Sequence, residues 1–266
     1  MENKLSTSLS GLNALICGST SGIGKSTAQE FSLSGANVTL FSRNEEKLNT
    51  TLTSLVKSKD QHHQYLVGDF DNPNHIKEII ESHISSNIKY QILVNNSGGP
   101  KGGPIVSADI SEFLNAFNRH LICNHILAQT VLPGMIDGNY GRIINIVSTS
   151  VKQPIEGLGV SNTIRGAVAS WAKTLSFEVA RNGITVNNVL PGFTDTERLS
   201  SLIQSKSLSQ GKSEEEISID MKQKIPSGRF GVPQEIAKAI TFLASPSAGY
   251  INGVSLAVDG GRLSSI

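Results

Sequence analysis

Cys17–Phe31 reads CGSTSGIGKSTAQEF, with glycine at positions 18, 22 and 24. This stretch decides the fold. Glycine admits positive φ and lets another backbone or a ligand come close. The run LNALIC (12–17) before it reads as a buried strand, and a helical pattern from Gly24 to Ser34 follows it. A glycine turn between a first strand and a first helix aims free N–H groups and the positive end of the helix dipole at whatever sits in the turn. A pyrophosphate matches both features. The spacing here is Gly-x3-Gly-x-Gly rather than G-x-G-x-x-G, so the general dinucleotide fingerprint does not apply as written.

Outward from this turn the chain alternates strand and helix patterns. Apolar runs at 37–41, 64–69, 91–96, 142–147, 184–190 and 254–259 each read as strands, and amphipathic segments separate most of them. The longest helical segments are predicted at roughly Ile110 to Leu132 and Ser161 to Ala180. Such alternation predicts right-handed βαβ units and a parallel sheet covered on both faces. The expectation is one α/β domain over 1–266, with no linker or repeat. The segment at about 197–227 departs in composition, being polar and rich in Ser and Lys. It reads as a solvated excursion or, preferably, as a lid over a cleft at the strand ends.

The bulk numbers narrow the function. The formal charge is +1, from 23 basic and 22 acidic residues, and 38% of the 266 residues are hydrophobic. That balance gives no push toward nucleic acid or a membrane surface. The two cysteines, Cys17 and Cys123, lie far apart in apolar runs and are expected as buried free thiols. The start MENKLSTSLSGLNALI lacks a signal peptide's long apolar region, and no run approaches about 18 apolar residues. The expectations are a cytoplasmic setting and no metal site.

At the end of the second strand an acid would accept hydrogen bonds from the 2′-OH of NAD. Ser42 and Arg43 stand there instead. Arginine matches a 2′-phosphate in charge and geometry, which favours NADP(H) over NAD(H). Glu45 and Glu46 follow closely and weigh the other way.

Four further stretches agree in order with one family. NNSG (95–98), GRIINIVS (141–148), ITVNNVLPGFTDT (184–196), and RFGVPQEIAKAITFLAS with YINGVSLAVDGG (229–261) join the glycine turn. Together they resemble the short-chain dehydrogenase/reductase family over about Leu12 to Gly261. The resemblance implies a single-domain Rossmann fold, a doubly wound seven-stranded parallel sheet, assembled as a homotetramer or homodimer. It implies that Gly18, Thr20, Ser21, Gly22, Ile23 and Gly24 hold the pyrophosphate. Asp69 and Phe70 would flank the adenine, and Asn96, Ser97 and Gly98 the ribose. Pro191, Gly192, Phe193, Thr194 and Thr196 would line the nicotinamide end.

The family's chemistry uses a serine, a tyrosine about thirteen residues later and a lysine four further on. From Ser148 that count lands on Ser161 and Arg165. The family's helix asparagine, thirteen residues before the proline of a Leu-Pro turn, becomes His120. Ser161 and Arg165, at i and i+4, share a helix face. Arg165 could hydrogen-bond the nicotinamide ribose but does not readily release a proton. A serine hydroxyl can orient or relay, and is a poor acid near neutral pH. His120 titrates near neutrality when unperturbed. Two readings follow: an NADP-dependent oxidoreductase of a carbonyl/alcohol pair, 3-oxoacyl-reductase-like, with Ser148, Ser161, Arg165 and His120 as candidate catalytic residues; or a weakly active or inactive dinucleotide-binding sensor or subunit.

Overall fold

A computed structural model describes residues 7–58 and 60–265. Residues 1–6, on which part of the leader reading rests, lie outside the described residues. Seven parallel strands form one sheet, in the order β3-β2-β1-β4-β5-β6-β7. They are β1 (Asn13–Cys17), β2 (Asn37–Ser42), β3 (Gln64–Val67), β4 (Ile92–Asn95), β5 (Gly141–Ile146), β6 (Ile184–Pro191) and β7 (Ser255–Val258). Every strand expected from the apolar runs is present, within two residues at each end.

The apolar runs are continuous because successive side chains enter different layers. Ala14 and Ile16 pack on one face, with Ala28 and Phe31 of α1 (Gly22–Leu33) and Ile236, Ile240 and Leu243 of α9 (Pro233–Ala244). Leu15 and Cys17 pack on the other, with Ile76 and Ile80 of α3 (Pro73–Ile84) and Leu127, Val131 and Met135 of α5 (Cys123–Asp137). The same alternation recurs at Ile92/Leu93/Val94. Each Val, Leu, Ile, Phe or Met side chain among these, fully buried, contributes about 1.5–3 kcal/mol relative to exposure. Cys17 and Cys123 are free and buried.

Strand order reverses between β1, which pairs with β2, and β4, which pairs with β5. A doubly wound sheet opens its ligand crevice at this switch point, beyond the carboxyl ends of the strands. On the β4–β7 side the sheet carries a buried polar seam. Asn95 Nδ2 donates to Asn145 Oδ1 (2.9 Å), Asn145 Nδ2 to Asn188 Oδ1 (3.1 Å), and Asn188 Nδ2 to Ser255 Oγ (3.2 Å). These residues are also register partners across the four strands.

The long helix expected over 110–132 is broken and runs further. α4 (Ile110–Phe117) passes through a π turn at Asn118–Ile122 before α5, which continues through Pro133 to Asp137. Pro133 removes one amide from the ladder. Burial of Met135 beyond it, and the close seating of Gly134 against Lys89, hold the last turn in place. The polar segment after β6 is two helices. Thr196 caps α7 (Glu197–Gln210), and a Ser213–Glu216 capping box opens α8 (Glu214–Gln223). Leu199, Ile217 and Met221 give this pair an apolar cluster of its own, joined by Phe193 and Phe230. α2 (Glu45–Thr53) and α6 (Gly159–Val179) complete the helices that flank the site.

Candidate active site

The glycine turn is fixed by sterics. Gly18 and Gly22 have φ of +56° and +49°, values that disfavour any other residue. A Cβ on Gly24 would stand 2.1 Å from the carbonyl oxygen of Gly18, and one on Gly18 would stand 2.7 Å from that of Asn96. Asn96 Nδ2 donates to the Gly18 carbonyl (3.1 Å) and lies within 3.3 Å of that of Cys17, tying the end of β4 to the turn. Ser21, the residue before α1, makes no side-chain cap hydrogen bond. The first-turn amides of α1 are therefore left to a ligand. This cradle fits a diphosphate.

A cleft of about 470 Å³ opens from the turn, within the usual range for small-ligand sites. Gly18, Thr20, Ser21, Gly22 and Ile23 line one end, and Asn96, Ser97 and Gly98 its side. Ser148, Ser161 and Arg165 form another wall, and Pro191, Gly192, Phe193, Thr194 and Thr196 complete the lining, with Thr196 Cγ2 placed 3.1 Å from where a Cβ on Gly22 would stand. A smaller recess adjoins the cleft through Gly18, Ser42 and Asn96–Gly98, and adds Arg43, Asp69 and Phe70. Gly24 acts from beneath the turn and lines neither space.

In the recess Ser42 Oγ lies 3.3 Å from Thr20 Oγ1. Arg43 is largely exposed, and its Nη1 lies 3.9 Å from Asp69 Oδ2, a loose pairing that leaves the guanidinium available. Glu45 accepts a hydrogen bond from the Tyr65 hydroxyl (3.0 Å) and so is committed elsewhere. Phe70 is buried edge-on to Phe41, with ring centroids 5.3 Å apart.

The stretch Ser161–Arg165 divides its work by residue. Ser161 Oγ makes no hydrogen bond among the described residues and lines the cleft. Asn162 turns back, its Nδ2 donating to the carbonyl of Ile155 (2.8 Å), and pins the loop between Ser148 and α6. Arg165 donates from Nη1 to the carbonyl of Ile146, the last residue of β5 (2.7 Å), so its head group is fixed against the strand end. Burial first, and the nearby charge of Arg198 second, draw its pKa down to about 10, so it remains charged at neutral pH. Ser148 lies two residues past the strand, and its Oγ accepts from the Ser150 amide (3.1 Å).

His120 stands behind this wall and does not line the cleft. Its Nδ1 lies 2.7 Å from Ser97 Oγ, while Nε2 is buried without a partner. Burial, reinforced by Arg165, Arg119 and Arg198, holds its pKa well below 6.5. It is neutral at pH 7, contrary to the titration near neutrality expected of a free imidazole. Lys152 is exposed on the loop.

Three arginines escaped the sequence reading. Arg119, in the π turn, pairs with Asp71 and lines the recess. Arg198, just past the Thr196 cap, donates from Nη2 to the carbonyl of Pro100 across the mouth of the cleft (2.5 Å). Arg262 lies over the Phe193 ring, 4.4 Å from its centroid, and donates to Thr149 Oγ1 (3.2 Å). Arg198 and Arg262 each adjoin a stretch that pointed to the site, the first after FTDT and the second after VDGG. Adjacency alone did not show where their side chains go.

A parallel sheet ordered 3-2-1-4-5-6-7, with a glycine cradle at its switch point, defines a Rossmann-type dinucleotide-binding fold. Comparison with known proteins specifies it further. Residues 18–262 match the family model described as "Enoyl-(Acyl carrier protein) reductase". The chain is 34% identical over 255 residues to the 3-oxoacyl-[acyl-carrier-protein] reductase of Rickettsia prowazekii, covering 96% of this chain and 98% of that one. It is 32% identical over 253 residues to the corresponding protein of Haemophilus influenzae, covering 95% and 98%. Among solved structures, the L-sorbose reductase of Gluconobacter frateurii, complexed with NADPH and L-sorbose, superposes with a TM-score of 0.90 at 29% identity, covering 98% of this chain and all of that one. The NADPH-dependent reductase YwfH of bacilysin biosynthesis superposes with a TM-score of 0.90 at 26% identity, covering 97% and 100%. The chain belongs to the short-chain dehydrogenase/reductase family, the family expected from its glycine turn together with the four later stretches.

Proposed function

We propose that the protein is an NADP(H)-dependent oxidoreductase of a carbonyl/alcohol pair, with chemistry akin to 3-oxoacyl reduction. The observation that carries this reading is the placement of Ser148, Ser161 and Arg165 on one wall of the same cleft as the glycine cradle. Two structural relatives, an NADPH-dependent reductase and a reductase complexed with NADPH, support the cofactor choice. So does the chain itself, with Ser42 and Arg43 where an NAD-selecting acid would stand and Glu45 held by Tyr65.

When bound, NADPH supplies the hydride for the carbonyl carbon. The chain's residues serve the other partner of that step, the carbonyl oxygen, which must gain a proton. Ser148 and Ser161 orient this oxygen and relay a proton to it from water. Arg165, locked to the end of β5, stabilises the negative charge that develops there. Asn162 holds the loop that places Ser148 against α6. Helix α7, packed on α8, acts as the lid, since its Leu199 and Leu202 line the cleft.

One observation favours the second reading, a weakly active or silent dinucleotide-binding protein. Among the described residues, no tyrosine, lysine or histidine lines the cleft. Following NADPH oxidation over a panel of ketones, oxo acids and oxoacyl thioesters separates the two. Turnover that falls with Ser161→Ala and Arg165→Ala supports the enzyme. Tight NADPH binding without turnover of any compound supports the silent protein.

Ile110 and Leu114 on α4 and Phe177 on α6 are exposed apolar residues, which supports a homodimer or homotetramer. Two buried free thiols support a reducing, cytoplasmic setting.

A further inference from the structure

The cleft's charge is one-sided. Its ionisable lining is Arg165, Arg198 and Arg262 against a single carboxylate, Glu197. Glu197 neighbours Arg198 on α7, and adjacent residues of a helix point in different directions. Elsewhere the arginines near the site have acid partners, Arg43 with Asp69 and Arg119 with Asp71. Arg165 and Arg198 have none among the described residues. Asp259, the acid near Arg262, already accepts from the amides of Gly261 and Leu263.

The two unpaired head groups also converge. A Cβ on Gly99 would stand 3.7 Å from Arg165 Nη2, 3.7 Å from Arg198 Nη2 and 3.8 Å from Arg198 Nε. Because Gly99 has no side chain, nothing of its own fills the space beside these nitrogens; Arg198 Nη2 is also the donor to the Pro100 carbonyl, while Arg165 Nη2 and Arg198 Nε make no hydrogen bond among the described residues. Each arginine spends one nitrogen on a main-chain carbonyl, of Ile146 and of Pro100, which fixes its orientation and leaves further N–H groups unspent. Like charges brought together with no counter-charge favour an anion between them. Guanidinium forks match a carboxylate in plane and spacing.

We propose that the substrate is a short oxo acid, or the matching hydroxy acid, whose carboxylate sits at Gly99 between Arg165 and Arg198 while its carbonyl faces Ser148 and Ser161. This assignment rests on the oxidoreductase reading and narrows it to a substrate class. Other oxyanions, such as the phosphate of a keto-sugar phosphate, share the chemistry and form one arm of the test.

The full-length protein saturated with NADP+ cannot reduce a carbonyl, so calorimetric titration of that complex reads binding alone. The probes are short 2-oxo and 3-oxo acids, their methyl esters, and a keto-sugar phosphate. The acids are expected to bind at least about tenfold more tightly than the esters. Arg198→Ala should weaken acid binding by on the order of ten- to a hundredfold, with NADP+ affinity as the control for folding. Arg198→Lys, which keeps the charge and loses the fork, should fall between. Equal binding of acid and ester, an Arg198→Ala variant with unchanged acid affinity, or a sugar phosphate that binds more tightly than every acid overturns the assignment. If NADP+ itself does not bind, the oxidoreductase reading fails, and the same acid and ester titrations on the nucleotide-free protein still decide the carboxylate clamp. Selective acid binding without NADPH turnover would sustain the clamp and count against the enzyme.

Discussion

The two ends of the cleft are built on different physics. At the nucleotide end the turn is shaped by what is missing: Gly24 and Gly18 leave no room for a Cβ, and the amides of α1 supply the attraction. At the opposite end the wall is shaped by what is present, hydroxyls and guanidiniums on strand ends and helices, anchored through main-chain carbonyls. A steric site tolerates almost no substitution, because its function is a shape. A polar site can exchange a tyrosine for a serine and a lysine for an arginine and keep its fold, though its chemistry changes.

The sharpest way to break the steric end is Gly24→Ala. With a methyl group 2.1 Å from the Gly18 oxygen, turn and helix must separate, costing about 1–3 kcal/mol. NADPH affinity, read by calorimetry, should fall on the order of a hundredfold. The polar end is tested by gain. If Ser161 is a weak proton relay, the double variant Ser161→Tyr with Arg165→Lys should raise carbonyl reduction roughly a hundredfold in kcat. An unchanged or lower rate would show that the native pair is tuned to its own reaction.

Smaller effects sharpen the contrast. Asn145→Leu removes the middle of the amide seam, leaving Asn95 Nδ2 and Asn188 Oδ1 without these partners. Each such group costs about 1–3 kcal/mol, and urea unfolding should show the loss. Arg43→Ala should narrow the preference for NADPH over NADH by about tenfold, measured as the ratio of the two Kd values. The smallest effect is in pH. His120 has a folded pKa well below its unfolded value of 6.5, so the unfolded chain binds the extra proton first. Stability is then full above about pH 6.5 and declines as pH falls below it, by up to about 1.4 kcal/mol per unit. His83, also depressed by burial, acts with the same sign. The readout is therefore the difference between the native chain and His120→Asn, whose acid decline should be shallower.

How much of this was legible in the sequence follows the same division. The steric end was readable because glycine spacing between a strand and a helix has few other uses. Ser148, Ser161 and Arg165 were located by counting along the serine, tyrosine and lysine spacing of the family that the chain resembles, starting from the serine that follows the fifth strand. The continuation of α5 past Pro133 was not readable, because the outcome depended on the burial of Met135 and the seat of Gly134 on Lys89. Nor was the π turn around His120, which no local pattern announces. Arg198 and Arg262 were missed because a long side chain's destination is set by tertiary neighbours, here Pro100 and Phe193. Two of the three seam asparagines stood in plain view in NN pairs at 95–96 and 187–188 and the third, Asn145, alone among isoleucines, yet their meaning required the register of four strands.

That seam has a consequence for assembly of the sheet. Side chains alternate between faces with a period of two, so sliding β5 by a single residue would point the Asn145 amide to the opposite layer and bring Ile144 or Ile146 into the seam, whereas β4 and β6 each carry a second asparagine, Asn96 and Asn187, beside the first. Apolar strands alone would accept several alignments at similar cost. The stranded Asn145 amide makes the misaligned ones of β5 expensive, and the mouth of the active site inherits the alignment it chooses.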